Sequence, residues 1–445
     1  MIKVGGIMKR KKHNEKHSKK IRKLVAMCSL IAIILAVSTY AWFIGMKRVE
    51  VSEFDINIAT TEGLFLSMDG IDWKYNLDVN EATQYDNNTN KLDGVELIPL
   101  SSVGDMDSTT SRMKLFEKSS LTAVPGGYRL LSAQVNNYTN QEPNTQAYIE
   151  GDGYVAFDLF IKNLSGDEYY IDNDPDNEEA IYLNTNSSVK VADEGGVPNT
   201  GIENSLRVAF TQIGRVEGDT TDQATITGMT CADDEDGAAP VTGICRSAQI
   251  WEPNDTDHVQ NAINWYDKSC LARTAADVYS SSSYTESDDG TTTCNDIVNG
   301  TAYPTYAISR RIDVADGVNI YDGTAFNTYA TNTIGYATYA AAEDKAPYKL
   351  VEYPNFTDTM KNIAGAERPQ FMTLAPNSIT KVRVYIYLEG QDIDNYDFAQ
   401  LGAKVSVNFG FTKERYTEED IDYDGPSTDI TPSDEEENGT DVEGP

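Results

Sequence analysis

Two histidines four residues apart, His13 and His17, have the spacing that sets two imidazoles on one helix face, as a zinc hydrolase requires. Such a site also needs a Glu directly after the first His to activate water. Glu15 is one position too late, and both His lie in a lysine-rich run, so the pair reads as a solvated basic stretch. The remaining histidine, His258, follows Asp255 and Asp257 and reads as a surface or helix-start residue. No GxSxG turn accompanies it, and no Cys/His arrangement for nucleophilic catalysis can be specified. Paired carboxylates for glycoside hydrolysis carry no information in a chain with 70 Asp and Glu. The residues therefore do not mark an enzyme.

Calcium fits the residue types better. Asp420, Asp422 and Asp424, followed by Gly425, match the first half of a calcium loop, in which alternate carboxylates converge and Gly permits a sharp turn. Pro426 then follows, and the twelfth position is Thr431 where a bidentate Glu is needed. Asp172, Asp174 and Asp176 alternate in the same way, lack the Gly and reach Leu183 at the twelfth position. Both stretches read first as solvated acidic loops, with calcium as the alternative. The segment Glu389-Gly390-Gln391-Asp392-Ile393-Asp394 reads first as the Gly-marked end of a strand, and second as a turn that gathers carboxylates.

The elements around these residues follow from hydrophobic period. In Val382–Leu388 aliphatic residues alternate with charges and tyrosines, the pattern of a half-buried strand. The same period recurs in Val405–Phe411, Val49–Ile58, Gly63–Met68, Tyr154–Ile161, Ile181–Leu183 and Leu206–Phe210. Such runs separated by Asn, Asp, Gly and Ser turns predict an all-β sandwich. The best helix candidate after residue 44 is His258–Tyr266, with Asp255 or Thr256 as its cap. Two long polar insertions, near 214–248 and 280–300, interrupt the strands, and from Glu414 the composition predicts a disordered acidic tail over 414–445.

The first 44 residues predict where the rest resides. Residues 1–23 hold ten Lys or Arg against the single acid Glu15, and Leu24–Ile44 is a 21-residue apolar run without a charge. That run is long enough to cross a bilayer as a helix, and the basic flank holds the amino terminus in the cytoplasm. Residues 45–413 are then an extracellular unit. Thr39 and Ala41 also offer the small residues a signal peptidase reads, so the run is either a transmembrane anchor or a signal peptide cleaved before Trp42. The first 44 residues carry +9 of a net charge of −34, which leaves about −43 on the remainder. A surface this acidic repels nucleic acid and anionic lipid.

Cysteine content agrees with export. Cys231, Cys245, Cys270 and Cys294 make two disulfides feasible, and Cys231–Cys245 with Cys270–Cys294 closes the shortest loops among three connectivities. Cleavage at Ala41 would leave Trp42, Phe43, Ile44, Val49 and Val51 as an apolar strand able to enter another copy's groove and build filaments.

The junction Ser38-Thr39-Tyr40-Ala41-Trp42-Phe43, followed by an alternating strand and Thr61-Glu62-Gly63-Leu64, resembles the export signals and first strand of TasA/camelysin-like surface proteins of Gram-positive bacteria. Ile250-Trp251-Glu252-Pro253-Asn254, Leu374-Ala375-Pro376-Asn377 and Tyr387-Leu388-Glu389-Gly390-Gln391-Asp392 look like recurring segments of large Firmicutes proteins with that signal. The resemblance implies a jelly-roll-like sandwich, processing by a dedicated signal peptidase, and a structural or adhesive role at the cell surface or in the biofilm matrix. A calcium-dependent surface binding module and a camelysin-type secreted hydrolase are the competing expectations. The chain is much longer than the short TasA-like proteins, and its two insertions have no counterpart there.

Overall fold

In the computed structural model the described residues are 49–58, 63–134, 150–273, 297–302 and 350–415, the strands 284–286, 292–294 and 306–308, and Met27, with seven single positions (93, 125, 126, 238, 354, 397 and 402) excepted. The segment 24–44, apart from Met27, lies outside them, as do residues 416–445. Among the described residues no helix is long and apolar enough to cross a membrane.

Period-2 alternation builds the core. In the strand Ser378–Glu389, Val382, Val384, Ile386 and Leu388 join one apolar cluster, and its antiparallel neighbour Leu206–Glu217 adds Leu206, Val208 and Phe210. Facing them, Phe54 and Ile56 of Val49–Ile58 and Val405, Val407, Phe409 and Phe411 of Ala403–Thr412 belong to the same cluster. Rings interlock across the gap: Phe54 meets Phe157 edge-on at 5.0 Å and Phe210 meets Phe409 at 4.9 Å. The architecture is thus predominantly β, with two sheets sharing one core.

The first sheet runs Met372–Leu374, Glu179–Leu183, Ala403–Thr412, Val49–Ile58, Asn76–Asp78, with Ser188–Val191 also on Ala403–Thr412. The second runs Phe356–Thr357, Gln249–Glu252, Leu206–Glu217, Ser378–Glu389, Pro99–Ser101, Phe116–Val124, Gly127–Gln134, and Val155–Asn163 also pairs with Ser378–Glu389. Val49–Ile58 and Ala403–Thr412 run parallel, with a bulge between Val51 and Glu53.

Two of the alternating strands are buried on both faces, whereas Ala403–Thr412 keeps a half-buried alternation over its first half. All 12 residues of Ser378–Glu389 are buried, as are Leu206–Val216, because polar segments cover the outer face. Met113 and Leu115 cover Tyr385 and Tyr387, and Ile226 of the helix Gln223–Gly228 lies on Phe160, Val216 and Ile379. The charges on that face are held in ion pairs. Arg383 donates to Glu150 and to Asp158, both at 2.7 Å, while Lys381 stands 3.5 Å from Asp158 and Arg112 stands 2.8 Å from Glu150. Burial would push the Asp158 carboxyl up, but Lys381 and Arg383 override it and hold Asp158 well below the usual carboxylate range. Arg215 likewise pairs with Glu178, which Arg246 also binds.

The insertions are also smaller than their composition implies. Leu206–Glu217 continues through a bulge between Gln212 and Gly214 because Arg215 and Val216 pair with Thr380 and Ile379, so the insertion starts after Glu217 instead of at 214. Within 280–300, Tyr284–Glu286 and Thr292–Cys294 form an antiparallel hairpin. At the carboxyl end Glu414 and Arg415 are tethered: the Glu414 carbonyl accepts from Arg368, and Arg415 donates to the Ala366 carbonyl.

Cys231 and Cys245 form a disulfide, with Cα atoms 5.0 Å apart. The cross-link closes a separation of 14 residues. In the chain-entropy account a loop of this size contributes ~3 kcal/mol. The paired Cys231→Ser and Cys245→Ser variant should therefore unfold at lower denaturant by that amount, and an unchanged midpoint would show the cross-link to be inert. The side chains of Cys270 and Cys294 lie outside the described residues.

Candidate functional site

The end of the central strand pair carries an acidic turn. Leu206 pairs with Leu388, so Arg207 stands where Ser378–Glu389 ends and the turn to Asp394 begins. The Arg207 guanidinium is fully buried and binds Glu252 at 2.5 Å and Asp392 at 2.6 Å. Glu252 is braced in turn by the Asn355 amide at 3.1 Å. Two segments that carry the family resemblance, Ile250–Asn254 and Tyr387–Asp392, therefore meet around one cation.

Glu389 is a third carboxyl beside that cation. Burial pushes its pKa up to about 8, against the opposing pull of Arg207. A carboxyl raised from 4.5 stabilises the fold fully below pH 4.5 and loses that contribution as pH rises toward 8. Glu389→Gln keeps the neutral shape. Its stability advantage over the parent should grow from pH 4.5, level off above pH 8 and amount to a few kcal/mol. Denaturant midpoints across that range test it, and a pH-independent difference would refute it.

Five residues further on, Asp394 takes hold of His258. Nδ1 of His258 lies 2.7 Å from Asp394 Oδ2, Nε2 lies 3.1 Å from the Thr301 carbonyl, and its backbone N–H donates to Asn299 at 2.9 Å. Asp394 Oδ1 also accepts from the N–H of Val259, just ahead of the helix Gln260–Arg273. Burial would lower the His258 pKa, but the Asp394 carboxylate reverses this and the net shift is upward. Asp394 itself is raised by burial to about 6. Because both groups hold their protons more tightly in the fold, the stability they contribute is lost as pH rises, through about 6 for Asp394 and above 6.5 for His258. Since each ring nitrogen faces an acceptor, the doubly protonated ring is the form that satisfies both contacts. It is a clamp joining the helix start to the acidic turn.

His258 is consequently buried, contrary to the surface reading of the sequence. The helix begins at Gln260 instead of His258, and Asp255 accepts from Thr359. Gly201 permits the close approach: its φ is +79°, and a Cβ there would come 2.5 Å from Val259. Beside the clamp opens a cleft of about 690 Å3, walled by Ser188–Val191, residues 199–204 and residues 254–261.

The other sequence-predicted residues are placed elsewhere. Val49 and Val51 pair with Ala403 and Val405 of their own chain, and Val49 is fully buried, so they are not a free strand in this form. Trp42, Phe43, Ile44 and the cleavage residues Thr39 and Ala41 lie outside the described residues. So do Asp420, Asp422 and Asp424. Asp174 caps the short helix Pro175–Asn177 by accepting from Asp176 N, and the Asp172 carbonyl accepts from Arg215. Among the described residues no three His, Cys, Asp or Glu side chains gather in a way that could hold a metal ion.

The Glu389–Asp394 segment ends the strand at Gly390 and also gathers carboxylates. What the sequence does not reveal is that Arg207 and His258 are their partners, 185 and 136 residues away from Asp392 and Asp394. Comparison with protein families, curated proteins and solved structures finds no match to this chain.

Proposed function

We propose that this chain is an exported surface protein with a structural or adhesive role. Its class is an all-β extracellular unit carried behind an apolar segment. More narrowly, we read it as a TasA/camelysin-like protein of the Gram-positive surface or biofilm matrix, jelly-roll-like in form. The observation that carries the reading is the Cys231–Cys245 disulfide within a β unit whose first strand starts five residues after the apolar run Leu24–Ile44. Stable structural disulfides belong to oxidising compartments.

Assembly follows from the amino-terminal strand. Val49–Ile58 would leave Ala403–Thr412 of its own chain and enter the equivalent groove of the next copy, drawing Trp42, Phe43 and Ile44 with it. Head-to-tail exchange of this kind does not close on itself and produces a filament. Electron microscopy and sedimentation of the chain starting at Trp42 should show filaments, and deletion of Trp42, Phe43 and Ile44 should abolish them. A parent chain that sediments as a monomer at every concentration would defeat the assembly step.

A further inference from the structure

We propose that the cleft beside His258 binds a neutral oligosaccharide. Its volume of about 690 Å3 falls within the ~300–1,000 Å3 typical of small-molecule sites and leaves room for more than one sugar ring. Side-chain amides dominate the lining: Asn199, Asn204, Asn254, Gln260, Asn261 and Asn299. Asn254 spends its donors on the Val189 and Glu203 carbonyls, Gln260 donates to Asn264 and the Asn299 side-chain carbonyl accepts from His258 N–H, while the capacity left on these amides and on Asn199 suits the neighbouring hydroxyls of a sugar. Glu203 also lines the cleft, and its Oε2 is buried without a hydrogen-bond partner, so a ligand hydroxyl reaches that atom only if the side chain turns outward.

Charge selects within the class of saccharides. The lining carries Glu203 and Asp257 against Lys190 and the His258 ring, on a chain of net charge −34. Phosphorylated or uronic sugars would be repelled, whereas a neutral one meets no such barrier.

A group of aromatic rings lies beyond the lining residues, one helical turn from Asn261. Asn261 and Trp265 stand four residues apart on the helix Gln260–Arg273, hence on the same face. The Trp265 ring meets Phe398 edge-on at 5.6 Å and Tyr396 at 6.4 Å, and Tyr396 is hydrogen-bonded to Asn261. Phe398 is 45 % exposed. A pyranose presents hydroxyls at its edge and C–H groups on its face, so amides beside rings match both.

The test is titration calorimetry, paired with tryptophan fluorescence, on the purified unassembled full chain. The probes are cellotetraose, maltotetraose and chitotetraose, with a hyaluronan tetrasaccharide as acidic control. At least one neutral probe should bind and shift the fluorescence. Asn261→Ala and Phe398→Ala, both at exposed positions, should each weaken binding by about tenfold with thermal unfolding unchanged. Absence of binding for all three neutral probes, preference for the acidic one, or unaltered affinity in both variants would overturn the proposal. The measurement is independent of filament formation, so loss of assembly and loss of sugar binding are distinguishable failures.

Discussion

Arg383→Ala should destabilise the protein by about 3–5 kcal/mol, the range for breaking a buried ion pair by removing one partner. The substitution removes the one of three cations that binds both Glu150 and Asp158, each of them buried. Arg112 remains on Glu150 and Lys381 on Asp158, but the latter contact is long, at 3.5 Å. Adding Glu150→Gln and Asp158→Asn to the variant should recover much of the loss, since neutral amides need no cation in a dry site. Denaturant midpoints of parent, single and triple variants decide it. A loss below about 1 kcal/mol for the single variant would mean that water reaches the cluster and the outer sheet face is not covered.

A comparable loss, about 3–5 kcal/mol, is expected from Phe210→Ala. Phe210 is 2 % exposed and sits where the two sheets meet, with edge-on contacts to Phe371 at 5.1 Å, Phe409 at 4.9 Å and Phe411 at 5.7 Å. Truncation removes a ring of ~150–250 Å2 burial and leaves a cavity that three neighbouring aromatic rings cannot fill without breaking their own packing. Phe398→Ala, at an exposed ring, is the control and should stay within ~0.5 kcal/mol. Equal effects for the two variants would contradict a core shared between the sheets.

Strands were legible in the sequence because period 2 is a local signal. Val382–Leu388 and Val405–Phe411 reappear inside observed strands, and Tyr154–Ile161 does so from Val155 onward. The burial of both faces of Ser378–Glu389 was not legible. Arg383 between Val382 and Val384 looks like a solvent-facing charge, and only the approach of Glu150, 233 residues away, makes it an interior one. The covering segments are themselves polar, so composition marks them as loops and hides their contribution to the interior. The same limit applies to the cleft. His258 and the Glu389–Asp394 turn were each visible as motifs, yet their meeting depends on register between strands distant in sequence. The sequence left three cysteine connectivities open, and the structure forms Cys231 with Cys245, the shortest closure among them.

The pH behaviour links these networks. Glu389, Asp394 and His258 are all shifted upward and favour the acid side, whereas Asp158 and Glu178 are shifted downward and favour the alkaline side. The acidic turn and the Arg383 cluster therefore respond to pH in opposite senses. Unfolding of the Glu389→Gln variant isolates the first of them.

Export is the claim on which the functional account stands, and it is tested most directly by intact mass and amino-terminal sequencing of the protein recovered from the producing cells and their medium. The account predicts a chain outside the cytoplasmic membrane, starting at Trp42, with Cys231 and Cys245 oxidised. A chain retaining Leu24–Ile44 but facing outward would preserve export and remove assembly through a free amino-terminal strand. A full-length chain in the cytoplasm with both thiols reduced would contradict the account.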